Sequence, residues 1–345
     1  MNFQIAMLLG QDGITNGAIY ALLALSILLV FTVTRILLIP QGEFVTYGAL
    51  TMATLQEGHP TALVWLLLGL TLIDCTLDLL DARRSPLGFR LPKRALAKLG
   101  YAVLMVVLVR TLPLADLPMA AQALLTLALV VPLGPQIYRL VFQPIASASP
   151  LVLLIVSIAV HVSMVGIALL LFGPEGARTR PFSEAGLEVG PVTFNSQTLW
   201  VLVVSLGLIV ALFLFFERTL YGKALRATAV NRMGARLMGI SPTLAGKATF
   251  LVATFIGALS GILIAPITTL YFDSGFVISL KGFIGAIIGG LVSYPVAALG
   301  AVAVGMIEAF SMFWASNYKE IIVFTLIIPF LLWRSFTSRH VEEEA

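Results

Sequence analysis

Two carboxylates, Glu43 and Glu308, lie inside long apolar stretches of the sequence, where an ionisable side chain is costly to hold. Such a group usually faces a cavity or another helix, so Glu43 could line a path for a polar solute and Glu308 could order a helix bundle. A structural hydrogen bond to a neighbouring helix is the alternative for both. His161 also stands in an apolar stretch, and we interpret it as a donor to another helix, because no Asp, Glu or Cys lies near it in the sequence.

The usual catalytic motifs are missing from the sequence. Gly246-Lys247 is followed by Ala248 and lacks the preceding glycine of a phosphate-binding loop. The stretch nearest to an intramembrane-protease Gly-x-Ser-Gly motif, residues 258–261, begins with alanine, and no zinc-binding His–Glu motif occurs. The single cysteine, Cys75, excludes an intramolecular disulfide and a cysteine-cluster metal site. We therefore predict no catalytic residue, no metal site and no cofactor, and any ATP hydrolysis would require a partner.

Residues 217–247 form the longest basic segment in the C-terminal half, with six basic residues against one acid, Glu217. Apolar residues recur in it at helical spacing, which predicts a pair of short amphipathic helices at the cytoplasmic face of a membrane. A solvated basic loop is the alternative. The segment also carries small residues, which let another protein approach the backbone closely. These small residues are Gly222, Ala227, Ala235 and Gly239.

The elements that would position these groups are membrane-spanning helices. Only 11% of the residues are charged, against about 25% in soluble domains, and 59% are hydrophobic. We predict an all-α polytopic membrane protein with eleven membrane segments, of which 42–56 and 281–293 are short or broken. In residues 248–271, Ala253, Gly257 and Gly261 recur every four residues, a pattern typical of close helix packing in lipid. The other predicted segments are 14–34, 61–80, 101–114, 119–138, 151–172, 199–216, 296–314 and 320–333.

Basic residues predict the orientation. With residues 217–247 inside, 16 of the 21 Lys and Arg fall on the cytoplasmic side, which places the N-terminus outside and the C-terminus inside. The exceptions include Arg110 and Lys281. The first residues lack a basic region and a cleavage site, so no removable signal peptide is expected. No nucleic-acid motif accompanies the positive charge, and no nucleic-acid partner is expected.

A family resemblance rests first on the basic segment. Gly222-x-x-Leu225-Arg226-Ala227 followed by Ala235-x-Leu237-x-Gly239-Ile240 resembles the cytoplasmic coupling loop of ABC-transporter permeases, in particular the branched-chain amino acid (LivH-type) family. The resemblance implies that this loop docks into a groove of the ATP-hydrolysing subunit. The residues that it assigns to coupling are Gly222, Leu225, Arg226, Ala227, Ala235, Gly239 and Ile240.

Two further stretches are similar to the same family. Residues 39–49 resemble its Asn-Phe-Ala-His-Gly-Glu run, with Gly42, Glu43 and Gly48 matching and Gln41 in place of the histidine. Residues 289–300 resemble its Gly-Gly-x-Gly-Ser run. Residues 61–118 have no counterpart and are interpreted as an insertion, within a single domain of residues 1–345, that adds two spans and a basic cytoplasmic loop. Residues expected at the translocation path are Gln41, Gly42, Glu43, Tyr47 and Glu308.

The resemblance implies a permease subunit of an ABC importer in a bacterial inner membrane, forming the path for branched-chain or related amino acids. It implies four kinds of partner. These are two ATPase subunits, a second homologous permease or a copy of this chain, a periplasmic solute-binding protein, and the lipid bilayer. Urea, short amides or sugars are the alternative substrates. An ion-coupled secondary transporter, a different class, is a further alternative, for which Glu43 and Glu308 would be the coupling carboxylates.

Overall fold

The computed structural model describes residues 3–83, 93–183, 186–189 and 192–337. Part of the predicted basic loop, residues 84–92, and the C-terminal Arg339 lie outside the described residues.

The described chain is almost entirely helical, as predicted, apart from one antiparallel hairpin between residues 186 and 195. The predicted short segment 42–56 is an unbroken helix of 16 residues. The elements are α1 Phe3–Thr34, α2 Gln41–Gln56, α3 Leu63–Arg83, α4 Lys93–Thr111, α5 Met119–Val130, α6 Leu133–Ile137, a π-helical turn Tyr138–Phe142, α7 Pro150–Phe172, β1 Gly186–Val189, β2 Val192–Asn195, α8 Ser196–Arg218, α9 Leu220–Val230, α10 Arg232–Leu237, α11 Pro242–Ile264, α12 Ser274–Ile288, α13 Tyr294–Ala315, α14 Lys319–Thr325 and α15 Ile327–Thr337, with two short 3-10 turns at Leu114–Asp116 and Ser316–Tyr318.

Seven helical stretches within the described residues are long and apolar enough to cross a membrane. The chain is therefore a multi-pass membrane protein. Crossing takes about 20 residues, so α2 and α12, with 16 and 15 residues, are too short to do so alone. The seven stretches are Gln4–Thr34, Leu63–Leu80, Met119–Phe142, Pro150–Phe172, Ser196–Arg218, Pro242–Ile264 and Tyr294–Leu332.

Several predicted boundaries in the C-terminal half were wrong. α8 continues to Arg218 and α11 already begins at Pro242, so the segment between them is residues 219–241 rather than 217–247. The helix expected at 281–293 is α12, which begins seven residues earlier at Ser274. Lys281, expected at the outer end of a span, consequently lies in the middle of α12 and is buried. A single lysine in an apolar stretch of sequence suggests the end of a membrane span, because the carboxylate on another helix that pairs with it cannot be recognised from the sequence.

The helix α2 lies at the centre of the molecule, with 15 of its 16 residues buried. It packs against α11 and α12 through small residues. Gly257 and Gly261 face Phe44 and Val45 of α2 so closely that an added Cβ would overlap α2 atoms. Ala253, Gly257 and Gly261 thus form one contact face, which confirms the predicted small-residue packing of this helix.

The α3–α4 hairpin is attached to the rest of the chain by a four-residue charge cluster. Asp74 and Asp78, one turn apart on α3, each pair with Lys98 of α4 and with Arg139 in the π-helical turn, at 2.5–2.8 Å. Two cations between the two carboxylates offset the repulsion that such an i, i+4 acidic pair would otherwise have. The hairpin assigned to the insertion is therefore held to the turn that precedes α7.

Candidate functional site

The chain enters α2 through a non-helical leg, residues 35–40, which is buried or partly buried in the bundle after the exposed Arg35. Its backbone is satisfied by Ser157 of α7, whose hydroxyl donates to the Leu37 carbonyl at 2.7 Å and accepts from the Ile39 amide at 3.0 Å. Irregular backbone is tolerated at membrane depth only where protein or a cavity covers it. Sequence analysis missed this role of Ser157; the only signal was a hydroxyl in a largely apolar helix.

Gln41 fixes the depth at which α2 begins. Its side-chain amide donates to the carbonyl of Ala253, the central residue of α11, at 2.9 Å. Nearly two turns into α2, the Tyr47 hydroxyl donates to the Met164 carbonyl of α7 at 2.9 Å. The N-terminus of α2 consequently lies near the midpoint of the neighbouring spanning helix.

The N-termini of α2 and α12 meet at this depth. Gly42 and Gly275, the second residue of each helix, touch so closely that a Cβ on either would overlap the backbone of the other. Helix N-termini carry unsatisfied amides and a partial positive charge, which favours anionic groups near them. Two such ends meet here inside an apolar bundle, beside the acidic residues Glu43 of α2 and Asp273 at the start of α12.

Glu43 is in the first turn of α2 and is fully buried. Its Oε1 lies 3.0 Å from Nδ1 of His161, and the imidazole stacks on the Phe276 ring of α12 at 4.6 Å between centroids. The two atoms are close but not aligned as a hydrogen bond, and neither oxygen of Glu43 has a well-aligned donor among the described residues. Buried polar atoms are nearly always paired with protein, water or a ligand. Gln41 Oε1, Thr46 Oγ1 and Thr254 Oγ1 are buried and unpaired in the same way.

Glu308 is placed differently from Glu43. Both its oxygens are engaged, Oε1 by the Lys281 ammonium at 2.5 Å and Oε2 by the Tyr20 hydroxyl at 2.6 Å, and all three residues are buried. The group links α1, α12 and α13. This arrangement fits the interpretation of Glu308 as a residue that orders the bundle, and the structure does not bring it together with Glu43. Sequence analysis did not find Lys281 and Tyr20 as its partners.

Residues 219–241 form the predicted pair of short helices, α9 and α10. Thr219 caps α9 by accepting from the Gly222 amide at 3.0 Å, and Asn231 ends α9 and caps α10 by accepting from the Gly234 amide at 2.8 Å. Because Asn231 interrupts the helix, Ala227 and Ala235 do not share one face: Ala227 is exposed, whereas Ala235 is buried.

Several residues assigned to coupling face their own chain. A Cβ on Gly222 would overlap the backbone of Phe215 and Phe216 at the end of α8. Leu225 is buried among residues of α1 and α11. Gly239 has φ +82° and ends α10, with the Ile240 amide donating back to the Ala235 carbonyl at 2.9 Å. Their residue types are thus explained by local packing and helix termination.

The outer face of α9 and α10 is apolar although the segment is basic. Leu237 and Met238 are more than 80% exposed, and Met233 is 68% exposed. Arg226 is engaged on the same surface, where both its terminal nitrogens donate to Glu217 Oε1 at 2.9–3.0 Å. Exposed apolar side chains concentrated on one short segment are typical of a protein interaction site.

Arg232, which sequence analysis counted only as a basic residue, connects this segment to the bundle. Its Nε and Nη2 donate to the carbonyl of Val33, at 3.3 and 3.0 Å, in the last turn of α1. Carbonyls at a helix C-terminus lack intrahelical partners, and a guanidinium supplies the missing donors. Val33 lies two residues before the leg that leads to Gln41 and Glu43, so α10 is attached to the element that positions the buried carboxylate.

Comparison with known proteins gives consistent results. The family model described as "Branched-chain amino acid transport system / permease component" matches residues 89–331. The high-affinity branched-chain amino acid transport system permease protein BraD of Pseudomonas aeruginosa is 26% identical over 211 residues, which cover 58% of this chain and 68% of BraD. The corresponding LivH protein of Escherichia coli is 26% identical over 210 residues, covering 58% of this chain and 67% of LivH. No solved structure matches the chain significantly. The family model spans more than half of the chain, and the chain therefore belongs to the family of permease components of branched-chain amino acid transport systems.

Proposed function

We propose that this permease forms one half of the translocation path of a bacterial inner-membrane ABC importer for branched-chain or related amino acids. The other half is a second homologous permease or a copy of the chain. Two separate ATPase subunits supply the energy, and a periplasmic binding protein delivers the substrate. The observation that carries the proposal is the α9–α10 unit, which exposes an apolar face and is bonded through Arg232 to the end of α1.

The buried centre around Glu43 suits a zwitterionic solute. A carboxylate held in an apolar bundle favours an ammonium group, and the meeting N-termini of α2 and α12 favour a carboxylate. In the described state the Gly42–Gly275 contact closes this centre. Transport would therefore require α2 and α12 to separate. A movement of α10 would be transmitted to α2 through the Arg232–Val33 hydrogen bond and the leg.

We further propose eleven membrane segments with the N-terminus outside and the C-terminus inside. In this arrangement the leg and α2 together make one crossing, and α3 and α4 are the two extra spans of the insertion.

Thiol labelling tests the orientation. In a Cys75→Ala background, a cysteine at exposed Glu175 is expected to react with an impermeant maleimide added outside intact spheroplasts, and one at exposed Lys223 is expected to react only after lysis. Equal membrane levels of both variants are the control. The opposite accessibility pattern would refute the orientation while leaving the membrane fold intact.

Co-purification with the ATPase tests the docking surface. Met238→Glu and Ala227→Trp change exposed side chains, so both are expected to leave the permease folded and to weaken ATPase binding about 5- to 150-fold, the effect of 1–3 kcal/mol at an interface. The measurements are ATPase recovered with the tagged permease in detergent, and ATP-driven uptake. Ala235→Trp is less informative, because Ala235 is buried in its own chain.

The matched control is Leu170→Glu on α7, where an equally exposed leucine lies outside the α9–α10 unit. It is expected to retain ATPase binding in the fraction that inserts. Wild-type binding and uptake by both α9–α10 variants would reject the docking surface. Uptake by the wild-type chain without any ATPase subunit would favour the ion-coupled transporter instead.

A further inference from the structure

A large apolar groove lies beside the α9–α10 unit. It has a volume of about 940 Å³ and is formed by the C-terminal halves of α1 and α8, by α9 and by the turn between α12 and α13. Its walls include Leu29, Ile209, Phe213 and Phe216. An open apolar groove of this size, on a chain that resides in a bilayer, has lipid as its surroundings.

The groove also has polar residues in its lining. Thr32 and Tyr294 bond to each other at 3.3 Å. Glu217, the one carboxylate among the lining residues, is engaged by Arg226. Arg35 is exposed, lies over the Phe31 ring at 6.0 Å from its centroid, and has no carboxylate partner among the described residues. The groove therefore combines an apolar interior with a positive charge that no carboxylate of the described residues neutralises.

Arg35 is also held in an unusual backbone conformation. Its φ is +61°, and Leu291, which also lines the groove, has φ +56°; these are the two non-glycine residues with positive φ in the described chain. The left-handed conformation costs about 1–2 kcal/mol for such residues, and strained positions cluster at functional sites. Both strained residues border the same groove.

We propose that this groove binds the acyl chains of an anionic phospholipid, with the phosphate at Arg35. A helix of a second copy fits less well. A helix about 10 Å wide that rises 1.5 Å per residue occupies about 120 Å³ per residue. The groove volume of about 940 Å³ therefore accommodates about eight helical residues, whereas a membrane-spanning helix has roughly 20. Because Ala229 and Val230 of α9 line the groove, the bound lipid contacts the α9–α10 unit on its membrane side.

The test is lipid retention by the purified permease in nanodiscs of phosphatidylcholine with a graded fraction of phosphatidylglycerol, counted by native mass spectrometry. Arg35→Ala is expected to lower retained phosphatidylglycerol about fivefold, since a basic residue near an anionic lipid contributes about 1 kcal/mol, and to leave phosphatidylcholine unchanged. Val210→Trp, which narrows the groove from a half-exposed position on α8, is expected to lower retention of both lipids.

Arg110→Ala is the matched control, because Arg110 is exposed at the end of α4, over the Trp65 ring and outside the groove. It should retain lipid as the wild type does. Unchanged retention in Arg35→Ala and Val210→Trp overturns the proposal. A disulfide that joins two copies of the Phe213→Cys variant in native membranes would also overturn it, because the groove would then be occupied by a second permease chain. Neither outcome bears on ATPase docking or substrate, which are measured separately.

Discussion

Replacing Lys281 with alanine is expected to destabilise the permease by about 3–5 kcal/mol, the usual effect of removing one partner from a buried ion pair. The variant leaves the Glu308 carboxylate in an apolar bundle with only the Tyr20 hydroxyl to stabilise it. Three helices meet at this group, so the loss is expected to lower the thermal midpoint of the whole chain rather than to loosen one end. The measurement is thermal unfolding of the purified permease in detergent.

The double variant Lys281→Met, Glu308→Leu separates charge imbalance from packing. It removes both charges and keeps apolar volume, and it is expected to recover most of the stability lost in Lys281→Ala. Lys223→Ala, at an exposed position of α9, serves as the control and should unfold like the wild type. A Lys281→Ala midpoint within error of the wild type would contradict the assignment of this pair to bundle stability.

Replacing Glu43 with glutamine is expected to reduce substrate uptake roughly 10- to 150-fold, because a bond to a charged group is worth about 1.5–3 kcal/mol. Glutamine keeps the shape and hydrogen-bonding capacity of the side chain, so folding and assembly with the ATPase are expected to persist. Glu43→Ala should lose uptake at least as severely. Uptake is measured in proteoliposomes with ATP inside, normalised to assembled complex.

Glu57→Gln provides the comparison, since Glu57 is the exposed residue at the other end of the same helix. It is expected to transport like the wild type. If Glu43→Gln and Glu43→Ala both retain full uptake, Glu43 has a structural role opposite His161 and does not belong to the translocation path.

Sequence analysis was most successful where a pattern has one physical solution. The small residues spaced by four in α11 permit close approach of a helix, and α2 makes that approach. The apolar periodicity of residues 217–247 predicted two short helices, and the structure has them, capped by Thr219 and Asn231. The shortness of α2 was also visible, since 16 residues cannot cross a bilayer as a helix.

It was less successful where one residue has several physical explanations. Gly222 and Gly239 looked like space for a partner, whereas packing on α8 and a left-handed helix end account for them. Lys281 looked like a loop residue because a lysine is normally excluded from a bilayer, and only a carboxylate on another helix permits it.

The sequence by itself determined that this is a polytopic helical membrane protein with a basic coupling-like segment and no phosphate loop of its own, since hydropathy, charge and motif are properties of short windows. Only the tertiary structure decided which buried charges are paired. Lys281 and Glu308 are 27 residues apart, Glu43 and His161 lie on different helices, and Arg232 bonds to Val33 from 199 residues away. Where a charge buried in a bilayer is paired, its partner comes from inside the protein, and that partner is set by how the helices pack rather than by neighbours in the chain.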